Sequence, residues 1–300
     1  MKYECRIPVP LSLKEYEKGY TYSYVIAARD GNRKGDGDID IEVPETPFDN
    51  TDGSMGISEF TSHAIPKGKG FYSRSKYNLG SQVPGYVKMI VRTSALYLVE
   101  ESWRFPDPQN GEFVQNLTVL VSCYFKHTTL KFTAWTRVRD DDNGSENKNE
   151  NVFNLSNEEL SERIIVHSNI AESNKDDPAY EPKYDPAVNS SGKKTNRGPL
   201  TDPKWSKLSD KDSYPICCIY KNCSIDFKVW GITTKAERYC MNYQIGLFKR
   251  VAGIAVCTLD EYIDLTNGEL QELFINNHKI LKEIKEKRLA SQAAPLDVSA

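Results

Sequence analysis

The chain has 300 residues, 39% of them hydrophobic, enough to bury a sizeable core as one large domain or two small ones. Its 39 basic and 42 acidic side chains leave a net charge of −3, which argues against a generally basic nucleic-acid binder and leaves room only for local basic patches. The opening MKYECRIPVPL has no apolar core of signal-peptide length, and the longest apolar run elsewhere, LTVLVSCYF, falls far below the roughly 18 residues of a membrane span; a soluble cytoplasmic protein is expected.

In chain order, YECRIPV (3–9) reads as a strand. Ser12 followed by Glu15 forms a capping box before a helical stripe of Leu13, Tyr16, Tyr20, Tyr24 and Ala27. From there to residue 138 the period changes to two, through DIDIEVPE (38–45), GYVKMIV (85–91), SALYLVEES (94–102), NLTVLVSCYF (116–125) and TLKFTAWTRV (129–138). The run RDDDNGSENKNEN (139–151) and the Pro-punctuated segment 172–204 are irregular and polar, of a composition that favours poor order. Between them Ser156, boxed by Glu159, opens a short helix that includes Leu160 and Ile164.

Thr234 with Glu237 opens a second long helix, whose apolar stripe runs Tyr239, Cys240, Tyr243, Leu247, Val251 and Ile254 despite Gly246 and Gly253. Thr266 with Glu269 opens a third, carrying Leu270, Leu273, Phe274, Ile280, Leu281 and Ile284, with a frayed tail after about residue 288. These elements imply an α+β domain over residues 1–300, a large, curved, mainly antiparallel sheet flanked by helices.

One strand poses a chemical question. In CCIYKNCSIDFKVWG (217–231) the residues Cys217, Ile219, Cys223, Ile225, Phe227 and Val229 share an inner face, while Tyr220, Asn222, Ser224, Asp226 and Lys228 read as a face for water. Lys221 interrupts the apolar row. A buried ammonium needs a partner, so something anionic belongs beside it, either a buried carboxylate or an enclosed ligand.

The usual enzymatic constellations are missing. There is no G-x-S-x-G elbow and no G-x-x-x-x-G-K-[ST] loop, and His63, His127, His167 and His278 are scattered without ligand spacing. Placing Gly144 at the sixth position of a calcium loop puts Arg139 where a carboxylate is required. Seven cysteines without a paired C-x-x-C favour neither disulfides nor zinc, so no metal, cofactor or catalytic set is expected.

Four stretches, YNLGSQVPGYVKM (77–89), TNRGPLTDPKW (195–205), YPICCIYKNCSIDFKVWGI (214–232) and LDEYIDLT (259–266), resemble the phosphatidylinositol transfer protein family, in that family's order. The resemblance runs from PLSLKEYEKGYTYS to the last helix. It implies a START-like helix-grip fold whose sheet and long helices enclose one phospholipid, phosphatidylinositol or phosphatidylcholine, for exchange between membranes. Lys221 then matches the family's cavity lysine, with the lipid phosphate as its anion, and Thr118 matches a threonine that bonds the same phosphate. Tyr20 stands where the family has a glutamine, so its phenol either reaches the head group or serves as a core aromatic. Val229 and Trp230 stand where the family has two adjacent membrane-docking tryptophans, so Trp230 keeps half of that anchor or serves as a core tryptophan, and Lys67, Lys69 and Arg74 would add attraction to anionic lipid or belong to a merely soluble loop.

The inositol contacts depart from the family pattern. Ser73 keeps its chemistry, but Ser75 replaces a lysine, Phe274 a glutamate and Arg104 an asparagine, while Arg74 and Lys76 alternate outward. The implied function is a monomeric, non-enzymatic phospholipid carrier, cytoplasmic and transiently on membranes, with inositol specificity in doubt. The alternative is a lipid-sensing or membrane-docking module of the same fold.

Overall fold

A computed structural model describes residues 1–34, 38–78, 97–106, 114–122, 130–148, 150–173, 175, 180–207, 214–227 and 233–293. Eight strands build one sheet: β1 (Lys2–Val9), β2 (Asp38–Asp49), β3 (Lys69–Asn78), β4 (Tyr97–Pro106), β5 (Val114–Ser122), β6 (Leu130–Asp140), β7 (Ile164–His167) and β8 (Cys217–Phe227). Their order is β2-β3-β4-β5-β6-β8-β1-β7, antiparallel throughout except for the parallel β1–β7 pair. The helices are α1 (Leu13–Lys34), α2 (Asn157–Glu162), α3 (Thr233–Cys257), the short α4 (Leu259–Tyr262) and α5 (Asn267–Ala293). This is the expected α+β helix-grip arrangement. The expected strand 85–91 lies outside the described residues.

Three of the four capping boxes form. Ser12 N donates to Glu15 Oε2 at 2.8 Å and Glu15 N to Ser12 Oγ at 3.3 Å; Thr266 and Glu269 repeat the exchange at 2.8 and 3.2 Å, and Ser156 and Glu159 at 3.0 and 3.2 Å. Glu237 is engaged elsewhere. Its carboxylate accepts from Phe227 N at 3.3 Å and faces the Met1 amino group at 3.5 Å, because the end of β8 and the chain's first residue sit against the first turn of α3. Ile164 is not helical: α2 ends at Glu162, and Ile164 opens β7, pairing with Tyr3. Helix α5 runs to Ala293, beyond the fraying expected after 288.

The outer face of β8 is covered at its start, while Asn222, Ser224 and Asp226 further along are partly exposed. Tyr220 is fully buried, packed with Val152 and Phe153, and its hydroxyl donates to Asp142 Oδ2 at 2.9 Å. Beneath the same loop lies a buried ion cluster: Glu4 accepts from Arg6 Nε at 2.8 Å and faces Arg163 Nη1 at 3.0 Å. Carbonyls of the loop accept further guanidinium hydrogen bonds, those of Ser145 and Asn147 from Arg6 Nη1, and those of Lys148 and Glu150 from Arg163 Nη2. Composition made 139–151 look poorly ordered. Residues 139 and 140 belong to β6, and the loop beyond them is tied down because two buried arginines require its carbonyls.

Irregular chain from 180 to 207 is likewise anchored. Asp185 accepts from Ser173, Tyr180 and the Ala187 backbone, and Asp260 from the backbone of Lys194 and Thr195. Its close approach explains Gly253 inside α3: a Cβ there would lie 2.6 Å from the Tyr184 carbonyl oxygen. On the outer face of β3–β5, Ser58 and Thr61 donate to the buried Glu101, and Phe60 and Ile65 pack in the cluster around Trp103.

Candidate functional site

Strand register brings the inner-face polar residues into two adjacent rows. Arg104, Asn116, Thr136 and Lys221 are successive partners across β4, β5, β6 and β8. Two residues further along, Ser73, Ser102 and Thr118 align across β3, β4 and β5. Because side chains alternate faces, all of these point to the helix-covered side. There α1 and α3 stand off the sheet and leave a cavity in which the centre of a water molecule can range over about 380 Å³. All six residues of the apolar stripe of α3, Tyr239 to Ile254, line this space, and so do Tyr20, Tyr24 and Ala27 of α1. The stripes that predicted amphipathic helices therefore serve a hollow. Leu13, earlier on α1, is buried in the main core, and Tyr16 belongs to that core while also lining the cavity.

Lys221 reaches into the cavity from β8. Its Nζ donates to Thr136 Oγ1 at 2.9 Å and lies 4.5 Å from the Phe248 ring centroid. Among the described residues no carboxylate pairs with it within 4.0 Å. Burial pushes its pKa below the ordinary lysine range, while Cys223, Cys5 and the charge of Glu100 act in the opposite direction. The ammonium thus has a hydroxyl and a ring face but no contacting counter-ion, and a desolvated anion placed here would gain a charge-assisted hydrogen bond.

Thr118 lines the cavity, and its hydroxyl accepts from Asn116 Nδ2 at 3.4 Å. Tyr20 lines it too, its phenol oxygen accepting from the same amide at 3.2 Å. Asn116 and Thr136 escaped the sequence reading, although both sit on the inner phase of strands whose alternation was legible. Glu100 was missed as well. It lines the cavity from β4, Tyr77 donates to its Oε1 at 3.0 Å, and the Tyr24 hydroxyl lies 3.4 Å from that of Tyr77. Burial pushes the Glu100 carboxyl up to about 7, against the Tyr77 hydrogen bond and the charge of Lys221, which pull it down.

The residues aligned with the inositol contacts fall elsewhere. Ser75 is buried opposite Glu100, and Ser73 lies opposite Ser102; neither is part of the cavity wall. Arg104 is clamped by Glu45 through two hydrogen bonds, of 2.7 and 3.0 Å, and stacks 4.8 Å from the Phe71 centroid. Phe274 packs on Tyr24 with ring centroids 5.5 Å apart. Val229 and Trp230 lie outside the described residues. The basic residues near β3 are largely paired with acids: Lys69 with Asp49 at 3.5 Å, Arg74 with Glu42 at 3.0 Å, and Lys76 also with Glu42. Arg74 further stacks on Phe60. No described helix is long and apolar enough to cross a membrane.

A curved sheet gripped by long helices around an apolar hollow with a few convergent polar groups defines a START-like ligand-enclosing domain. Comparison narrows the class. Residues 1–276 match the family model described as phosphatidylinositol transfer protein, and the chain belongs to that family. It is 29% identical to phosphatidylinositol transfer protein 1 of Dictyostelium discoideum over 97% of this chain and 98% of that protein. It is 30% identical to the rat phosphatidylinositol transfer protein beta isoform, over 95% of this chain and 94% of the relative. A mouse membrane-associated phosphatidylinositol transfer protein 2 is also 30% identical, the match covering 90% of this chain but 18% of that longer protein.

Proposed function

We propose that the protein encloses a single phospholipid and exchanges it between membranes, working as a cytoplasmic monomer that touches membrane surfaces transiently. The observation that carries this reading is Lys221, a lysine directed into an apolar cavity, bonded to Thr136 and without a contacting carboxylate among the described residues. A phosphate diester supplies the missing anion, with Thr136 and Thr118 beside it. The acyl chains take the space between the α3 stripe and the inner sheet face. Membership of a transfer protein family supports carriage over catalysis.

The head-group end favours no strong inositol selection. Ser75 is too short to reach a ring hydroxyl as a lysine would, Phe274 offers no acceptor, and Glu45 holds Arg104. Phosphatidylcholine is therefore carried at least as readily. Mass spectrometry of lipid extracted from the purified protein, followed by transfer between donor and acceptor vesicles, is the test. A protein that copurifies with phospholipid and moves it meets the proposal; one that binds lipid without moving it is a sensor.

A further inference from the structure

The geometry points to a second head-group subsite, built by Glu100 with Tyr24 and Tyr77, that receives the ammonium of a zwitterionic phospholipid such as phosphatidylcholine. The inference rests on the carrier reading and adds the residues that select the cargo.

Charge balance within a mainly apolar cavity points to this subsite. Five charged side chains line the cavity, Asp30, Glu100, Glu181, Lys221 and Arg250, and of these Lys221 on β8 and Glu100 on β4 are the two, of opposite sign, that project from the sheet. They lie more than 4.0 Å apart, so they form no ion pair, yet each feels the other's charge. An unpaired charge out of water is costly, and a ligand that brings only a phosphate cancels Lys221 and leaves the carboxylate uncompensated. A zwitterionic head group cancels both. Its phosphate meets the Lys221–Thr136 pair, and its ammonium, on a short ethylene tether, extends along the inner sheet face toward Glu100.

The surroundings of Glu100 suit a quaternary ammonium. Tyr77 holds the carboxylate through Oε1 at 3.0 Å, and the Tyr24 hydroxyl lies 3.4 Å from that of Tyr77. Both rings, and that of Tyr20, line the same cavity. A methylated ammonium has no N–H to donate and is recognised by just this combination, ring faces for the methyl-borne charge and a nearby carboxylate. Phe274, packed behind Tyr24, fixes one ring of the set where a glutamate would have placed a second anion. The groups facing Glu100 are therefore Tyr77 from β3, Tyr20 and Tyr24 from α1, and Lys221 across the hollow.

The test uses the full chain, equilibrated with vesicles holding equal amounts of phosphatidylcholine, phosphatidylinositol and phosphatidylmethanol with identical acyl chains. Phosphatidylmethanol carries neither amine nor hydroxyl and serves as the reference. In the Glu100→Gln variant the ratio of bound phosphatidylcholine to phosphatidylmethanol is expected to fall about tenfold, with the ratio of phosphatidylinositol to phosphatidylmethanol unchanged. Should the variant not fold, the wild-type protein gives the same answer. Its preference for phosphatidylcholine should be weaker at pH 5.5 than at pH 8, because the carboxyl, pushed up to about 7 by burial, is neutral at the lower pH. An unchanged phosphatidylcholine ratio in both experiments overturns the subsite. So does a parallel loss of phosphatidylinositol, which would make Glu100 an acceptor for ring hydroxyls. A wild-type protein that takes up none of the three lipids overturns the carrier reading itself.

Discussion

Lys221 and Thr136 face each other across the β6–β8 pair, and the hydrogen bond from Nζ to Oγ1, 2.9 Å long, holds the ammonium toward the cavity. Among the described residues no carboxylate lies within 4.0 Å of the lysine, which meets a hydroxyl and the Phe248 ring instead. Lys221→Ala is expected to weaken phospholipid loading by on the order of 1.5–3 kcal/mol, the worth of a charge-assisted hydrogen bond in a desolvated site. Thr136→Val should cost less, about 1 kcal/mol, because it removes a neutral partner and leaves the charge. Lipid occupancy of the purified variants measures both; equal occupancy of folded Lys221→Ala and wild type would make the lysine structural.

On the opposite face of the sheet, the Glu4 carboxylate lies between Arg6 and Arg163, all three buried. Removing one member of such a cluster leaves uncompensated charge in a dry place. Glu4→Gln is expected to lower stability by about 3–5 kcal/mol, read as a shift of the denaturation midpoint. A loss below about 1 kcal/mol would mean that the carbonyls of Ser145, Asn147, Lys148 and Glu150 satisfy both guanidinium groups without the carboxylate.

What could be read in the sequence was local or periodic. Alternation placed β1, β4, β5, β6 and β8, and reciprocal side-chain caps located the starts of α1, α2 and α5. Lys221 stood out as a cation in an apolar row. Glu100 did not, because in SALYLVEES it is followed by Glu101, and two adjacent carboxylates look alike until the pleat separates them. Glu101 then turns to Ser58, Thr61 and Tyr72 on the outer face, while Glu100 turns to the cavity. Thr136 was invisible for a related reason: its role depends on the β6–β8 register, a pairing across 85 residues of sequence. The polar composition of 139–151 argued for poor order, since nothing local reveals that Arg6 and Arg163 need carbonyls of this loop.

Glu100 also sets a pH dependence of stability in the cargo-free protein. Its folded pKa, about 7, exceeds the ordinary value of 4.5, so between these limits the native state keeps a proton that the unfolded chain gives up. Stability is consequently lost as pH rises through this window, and the full penalty applies above it. Glu100→Gln removes the penalty. Relative to wild type, the delipidated variant should gain with rising pH, reaching on the order of 3 kcal/mol at pH 8 and vanishing near pH 4. Urea unfolding at several pH values measures the gap, and a gap independent of pH would show that the carboxyl titrates normally in the folded state.

Ser75 and Phe274 are the positions at which an inositol preference should be open to engineering. Ser75 lies opposite Glu100 across β3 and β4, and Phe274 lies against Tyr24, so both border the region where a head group would rest. A site that leaves several buried hydroxyls unpaired loses about 1–3 kcal/mol for each, enough to erase a strong preference for inositol. Ser75→Lys supplies a long donor. It also places a cation beside Glu100, forming an ion pair that competes with any ammonium. Phe274→Glu supplies an acceptor, and it removes the packing that supports the Tyr24 ring. Both changes therefore act in one direction, adding partners for ring hydroxyls and dismantling the surroundings of a choline. The double variant is expected to shift bound cargo from phosphatidylcholine toward phosphatidylinositol by at least tenfold in direct competition, with phosphate recognition through Lys221 maintained. Wild-type protein that already prefers phosphatidylinositol by more than tenfold would contradict the reading of these positions. A folded double variant with unchanged preference would assign the block to Arg104, which Glu45 fixes in two hydrogen bonds at the next inner row but one from Ser75.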